Sequence, residues 1–245
     1  KLGAIFHAQA QHLAQADGTR PPASTGATST LVAKLLRMGT PLGTYVDGKV
    51  YRGVVTGLNE AFVIDQTTRD RLIAEDPKSA EVLKPFLRGR DVGRYRMNAS
   101  NMWLIYTYHG VDIQRYSAIE QQLRPFKEQL EGRATDQPWY ELQQPQFAFK
   151  EDFKRSKIIY PDIAPTNEFS WDIQGHFMGN TLYLIVADHP YLCGLLNTRL
   201  IEYVYSTLTN QIRGGYYRFF SQYMKQLPIV EPSPSDQQRL GELVD

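Results

Sequence analysis

Apolar residues in this chain recur at two different spacings, and the places where the spacing changes divide it into strands and helices. From Val50 the pattern is extended: VYRGVVTG at 50–57, then AFVI at 61–64, joined by Gly57-Leu-Asn-Glu60 in a turn-like position. MWLIYTY (102–108), KIIY (157–160), FSWDI (169–173) and LYLIV (182–186) are further strand candidates, separated by Pro, Asn and Gly. Helical spacing is clearest in Tyr116, Ile119, Leu123, Phe126 and Leu130, with a bend expected at Pro125 and a stop at Gly132. Residues 191–208 read as one largely buried helix.

Caps refine the helical assignments. Thr67 or Thr68 can cap a short helix reaching about Glu75. Asp76-Pro77 combines an N-cap carboxylate with proline at the first helical position, and Ala80, Leu83 and Leu87 then recur at helical spacing. This predicts a helix kinked at Pro85 and stopped at Gly89. Ser235 with Gln238 gives a capping box for a final helix, which the sequence cuts short at Asp245. Residues 4–16 have helical composition, and Asp17–Thr30 is a soft Gly/Pro/Ser/Thr tract expected to act as a linker. Strands and helices alternate without a βαβ rhythm, so the expected fold class is α+β, a mixed sheet with packed helices. The expected division is residues 1–30 as a helix and linker leading out of a preceding domain, and 31–245 as one domain.

Composition narrows the setting. At 42% hydrophobic and 22% charged residues, the chain has the make-up of a globular protein with a substantial core. One cysteine, Cys193, excludes an internal disulfide and fits a reducing cytoplasm. No run has the length of a membrane span, and the start at Lys1 carries no signal-peptide pattern.

Charge changes the picture most. Lys84-Pro-Phe-Leu-Arg-Gly-Arg-Asp-Val-Gly-Arg-Tyr-Arg96 holds five basic residues against one acidic, a local +4 in a chain of net charge +1, which leaves the remainder at −3. Cations concentrated beside glycines and a tyrosine form the footprint expected for a polyanion, nucleic acid first. Arg88, Arg90, Arg94 and Arg96 are therefore candidate DNA contacts, set against the plain alternative of a solvated loop paired to Asp91. Arg213-Gly-Gly-Tyr-Tyr-Arg218 is the second candidate, with Arg213, Tyr216, Tyr217 and Arg218 as contacts and the paired glycines giving phosphate close access to backbone amides. Lys154, just before KIIY, and Lys157, its first residue, complete the candidate set, although Glu151 and Asp152 offset part of that charge. Asn197 in LLNTRL reads as a buried packing group.

Catalytic patterns are missing. No G-x-S-x-G, Walker A, G-x-G-x-x-G or H-E-x-x-H occurs, and the five histidines lack metal-ligand spacing apart from the wide pair His7 and His12. Pro161-Asp162 matches the first half of a metal-nuclease signature, but its only nearby completion, Asp152-Phe-Lys154, precedes it. No catalytic or metal residue is assigned.

Taken in order, GVVTGLNEAFVID (53–65), DPKSAEVLKPFLRGRDVGRY (76–95), WLIYTY (103–108), KIIYPDI (157–163), LLNTRL (195–200) and GGYYRFFSQYMKQLPI (214–229) resemble the TaqI-like C-terminal specificity, or target recognition, domain of adenine-specific DNA methyltransferases and fused type II restriction–modification enzymes. In that family a separate domain binds S-adenosylmethionine and carries an Asn/Asp-Pro-Pro-aromatic motif. No Asn-Pro and no Asp-Pro-Pro occurs here. The resemblance implies a cytoplasmic module that reads double-stranded DNA, joined in cis to a catalytic methyltransferase domain outside this chain. A protein-interaction or scaffold domain of a defence system is the rival reading, since it would use the same aromatic surface.

Overall fold

The computed structural model describes residues 26–99 and 101–244. The expected helix at 4–16 and most of the soft tract lie outside them. Residues 26–30, assigned to the linker by their composition, form the first turn and a half of helix α1 (Gly26–Met38).

Eight strands build two four-stranded sheets. They are β1 (Val50–Arg52), β2 (Val63–Asp65), β3 (Leu83–Leu87), β4 (Met102–Ile105), β5 (Lys157–Pro161), β6 (Ser170–Asp172), β7 (Phe177–Met178) and β8 (Leu182–Val186). The first sheet has the order β6-β5-β8-β1 and is antiparallel throughout; the second has the order β7-β3-β4-β2, with β7 parallel to β3.

The two central strands of the first sheet, β5 and β8, are buried along their whole length. Period-two geometry sends their alternate side chains to opposite faces. Ile159, Leu182, Leu184 and Val186 join one apolar cluster with Phe86, Leu104, Ile105 and Phe177 of the second sheet. Ile158, Tyr160, Tyr183 and Ile185 join the other cluster, with Leu192, Leu196, Val204 and Phe219. The first sheet is thus a wall shared by two cores. That is why IIY (158–160) and LYLIV are continuous apolar runs: neither face of these strands meets water.

Helices fill the flanks. The stripe beginning at Tyr116 becomes α3 (Ser117–Leu123), a 3-10 turn over Arg124–Phe126 that contains Pro125, and α4 (Lys127–Glu131), stopped at Gly132 as its spacing predicts. The helix reaching Glu75 is α2 (Gln66–Glu75), but its cap is Asp65, whose carboxylate accepts a bond from the Thr68 amide. The final helix α7 (Pro234–Glu242) is capped by Ser233, two residues before the predicted Ser235.

Two helical assignments are corrected. Asp76 does cap Pro77–Glu81, but as a short 3-10 turn, and the chain then extends into β3. Pro85 has no amide to donate to the Glu81 carbonyl four residues back, and that carbonyl instead accepts from the Lys84 ammonium at 2.7 Å. Leu83, Phe86 and Leu87 are buried by strand pairing, with Pro85 opposite Trp103. Residues 191–208 split into α5 (Tyr191–Leu196) and α6 (Arg199–Leu208). The break serves both sides: Thr198 caps α6, and Asn197, 4% exposed, bonds the Phe169 amide and carbonyl across the core.

Candidate nucleic-acid interface

The basic stretch begins on β3, whose second residue is Lys84, and not on a helix turn. Arg88–Asp91 closes a tight turn around a carboxylate that is 6% exposed. Asp91 accepts from the Arg88 amide at 2.8 Å, from its Nε at 3.0 Å and from Nη2 at 3.1 Å. Arg88 therefore holds the loop, and its guanidinium is committed to Asp91.

Beyond it the chain forms a minimal β-hairpin, with Val92 opposite Met97 and Gly93 opposite Arg96. Arg94 and Tyr95 are its tip. Tyr95 has φ of 56°, a left-handed backbone that costs a bulky residue about 1–2 kcal/mol. The hairpin is pinned from below: the Tyr95 amide donates to the Phe169 carbonyl at 3.0 Å, and Ser170 Oγ lies 2.6 Å from the Gly93 carbonyl oxygen and 2.9 Å from that of Arg96. Arg94 Nε donates to the Asn167 carbonyl at 3.0 Å, and its Nη2 lies 3.7 Å from Glu202. Arg90 and Arg96 are exposed, and no carboxylate forms an ion pair with either among the described residues. Glu168 lies near Arg94 and Arg96; burial raises its pKa, and the charges of these two arginines partly oppose that rise.

The second candidate is also a hairpin tip. Ile212 bridges Tyr216 across Gly214 and Gly215, whose φ values of 87° and 80° favour glycine. Arg213 is exposed and Tyr216 is 42% exposed. Tyr217 and Arg218 pair antiparallel with Ile163 and Ala164. The Tyr217 ring lies edge-on to Tyr205 and Phe219, so it supports the hairpin at the core boundary, while Arg218 lies over Phe220 at 5.3 Å and keeps an exposed side chain. One hairpin rests on residues 167–170 and the strand of the other on 163–164, so both are supported by one stretch of backbone.

The lysines separate. Lys154 is exposed and paired with Glu151 at 2.8 Å. Lys157 is fully buried, with Nζ 2.5 Å from Asp172 Oδ2 and 2.5 Å from the Phe153 carbonyl oxygen. It has no surface to offer a phosphate, contrary to its expected role as a DNA contact. Asp172 also accepts from the Gln174 amide at 2.9 Å, the His176 amide at 3.0 Å and His176 Nδ1 at 2.9 Å. Sequence reasoning overlooked the turn this carboxylate organises. Ile173, taken as the last residue of a strand, is 71% exposed, and Gln174 beside it is exposed too.

No three His, Cys, Asp or Glu side chains converge on a possible metal position among the described residues. The Cys193 thiol is buried, which pushes it up to about 12 and away from nucleophilic use.

Known proteins similar to this chain come from restriction–modification systems. A type II methyltransferase, M.BanIII of Aneurinibacillus aneurinilyticus, is 22% identical over 209 residues, 77% of this chain and 35% of its own length. The Type IIL restriction-modification enzyme MmeI, solved in complex with DNA, superposes with a TM-score of 0.53 at 14% identity, over 80% of this chain and 27% of that one. The type IIG restriction endonuclease BpuSI superposes with a TM-score of 0.51 at 13% identity, over 89% of this chain and 28% of that one. The chain thus spans about a third of each relative or less. The profile of the TaqI-like C-terminal specificity domain matches residues 84–229, from the strand that leads into the basic hairpin to the segment that closes the second core, and the chain belongs to that family.

Proposed function

We propose that this chain is the DNA-reading unit of a restriction–modification protein. It grips a specific double-stranded sequence and presents the target adenine for N6 methylation by a catalytic domain in cis, outside the residues considered. S-adenosylmethionine would belong to that domain, since the Asn-Pro that the chemistry calls for is absent from this sequence.

The observation that carries the reading is the pinned hairpin at 92–97. It holds exposed Arg96 at the base of a strained tip, with exposed Arg90 two residues before the hairpin and the strand after the Gly-Gly tip resting on the neighbouring residues 163–164. Exposed arginines suit phosphate contacts, which set position and supply affinity. Arg94, oriented by the Asn167 carbonyl, suits a base edge, where a bidentate pair with guanine discriminates by about 1–3 kcal/mol. Extruding an adenine from the stack costs roughly a few kcal/mol, which contacts to the flanking duplex can offset.

The test is fluorescence anisotropy of a labelled duplex titrated with the chain across a salt series. Arg90→Ala and Arg96→Ala should each weaken binding and reduce the slope of log K against log salt by about 0.9 per lost phosphate. Affinity and slope unchanged in both variants would overturn the assignment.

A further inference from the structure

The turn after β6 joins three properties that rarely occur together. Its outer residues are apolar and amide, its backbone is fixed from beneath, and it continues the strand that carries the basic hairpin. Ile173 is 71% exposed in a tight turn, where polar residues normally sit. Gln174 is exposed, and its side-chain amide makes no hydrogen bond among the described residues. Gly175, at φ of 74°, completes the reversal and lies against the Lys154 backbone, where a Cβ would stand 3.4 Å from Lys154 Cα.

Fixation comes from Asp172. Its two oxygens accept from the Gln174 and His176 amides, the His176 ring and the Lys157 ammonium, and Asp172, His176 and Lys157 are all buried. A carboxylate and an ammonium taken out of water for the sake of one small turn constitute a heavy anchor for two exposed side chains. Its effect is to present Ile173 and Gln174 in one conformation, so that binding need not order them.

Position supplies the partner. Ser170, the first residue of β6, holds the carbonyls of Gly93 and Arg96, and Ile173 lies three residues further along the extended chain, roughly 10 Å at about 3.3 Å per residue. At about 3.4 Å per base on each strand, that is about three base steps from the hairpin. Both elements therefore fall within the span of one short recognition site.

We propose that this turn is specificity-determining and reads an A·T base pair, Ile173 packing on the thymine methyl and Gln174 bonding the adenine N6 and N7 edge. The pairing follows from chemistry: an amide supplies the donor and acceptor that adenine requires, and an apolar side chain beside it matches the methyl that thymine alone carries in the major groove. Lys154, at the base of the turn, can exchange Glu151 for a phosphate as the groove closes on it. The inference rests on the DNA-reading assignment above and adds to it a residue pair and a base pair.

The experiment is selection of binding sites from a randomised duplex library by the chain, followed by sequencing, for the wild type and for Ile173→Ala and Gln174→Ala. Both side chains are exposed, so the variants should fold as the wild type does, as circular dichroism will show. The wild type should enrich a defined site containing an A·T pair whose preference each variant lowers by about five- to a hundred-fold, while the other positions keep theirs. A wild-type site whose every position survives both substitutions overturns this inference and leaves the DNA-reading assignment standing. So does a uniform loss of affinity for all sequences, which would make the turn a positioning contact. A wild-type chain that enriches nothing overturns the DNA-reading assignment, and the inference with it.

Discussion

Replacing Lys157 with methionine probes how the buried charges are held. The ammonium is wholly buried, 2.5 Å from Asp172, and also bonded to the Phe153 carbonyl. Burial lowers the Lys157 pKa, and the attraction of Asp172 only partly opposes this. Burial alone would raise the Asp172 carboxyl, but hydrogen bonds from His176 and Lys157, with the lysine charge, bring it below its usual value. Asp172 accepts from three donors besides the ammonium, so its hydrogen bonds hold the turn even without the lysine. Removing one partner of a buried pair typically costs about 3–5 kcal/mol. In Lys157→Met, Asp172 keeps three donors, so the expected loss is at the lower end, about 3 kcal/mol. Asp172→Asn should cost more, because it weakens the turn and leaves the ammonium to carbonyls alone. The double variant should lose less than the two single losses combined, since neither charge is then stranded. Urea unfolding followed by tryptophan fluorescence measures all three, with Trp171 adjacent to the site on β6. A Lys157→Met loss under about 1 kcal/mol, or strict additivity in the double variant, would refute the reasoning. Acid adds a check with a defined sign. A lowered carboxyl contributes stability above its unfolded value of about 3.9 that disappears as pH falls through the lower folded value. The wild type should therefore lose stability on acidification below about pH 4 more steeply than Asp172→Asn.

Other substitutions separate scaffold from contact. Arg88→Ala should destabilise the fold by about 1–3 kcal/mol, because buried Asp91 loses both of its bonds from the guanidinium; chemical denaturation reads this, and a neutral effect would mean the turn does not need the guanidinium. Tyr95→Asn places a residue tolerant of left-handed backbone at the hairpin tip. Thermal stability should hold while duplex affinity falls, and the reverse pattern would assign the ring to the scaffold. Gly53→Ala should abolish soluble folded protein, since a Cβ there would stand 2.3 Å from the Gly179 carbonyl oxygen; a folded variant by circular dichroism would contradict that contact.

How far the sequence reveals this molecule depends on the range of the interactions that decide each element. LYLIV and IIY (158–160) were legible because strands buried on both faces are apolar without a break. The helix at 116–131 was legible because its stripe, its proline and its glycine agree. Asp76-Pro77 misled because a cap states where a helix starts and not how long it lasts, and β3 is decided by partners in β4 and β7. Lys157 looked like a surface cation because its counter-charge is distant in the chain. Only the register that sets Asp172 opposite Lys157 brings the two together. The cluster of arginines was visible, but their division was not: which guanidinium holds a carboxylate and which faces outward depends on the placement of Asp91, Asn167 and Glu202.

Ile158 and Ile159 are neighbours on one strand, yet each answers to a different half of the molecule. A domain partitioned in this way has no half that can soften privately, for whichever side loosens first withdraws packing from the sheet on which the other leans. The two hairpin tips and the turn at 173–174 all take their bearings from this common wall or its edge. A reader of sequence built on such a frame keeps the spacing between its contacts fixed until the entire frame gives way.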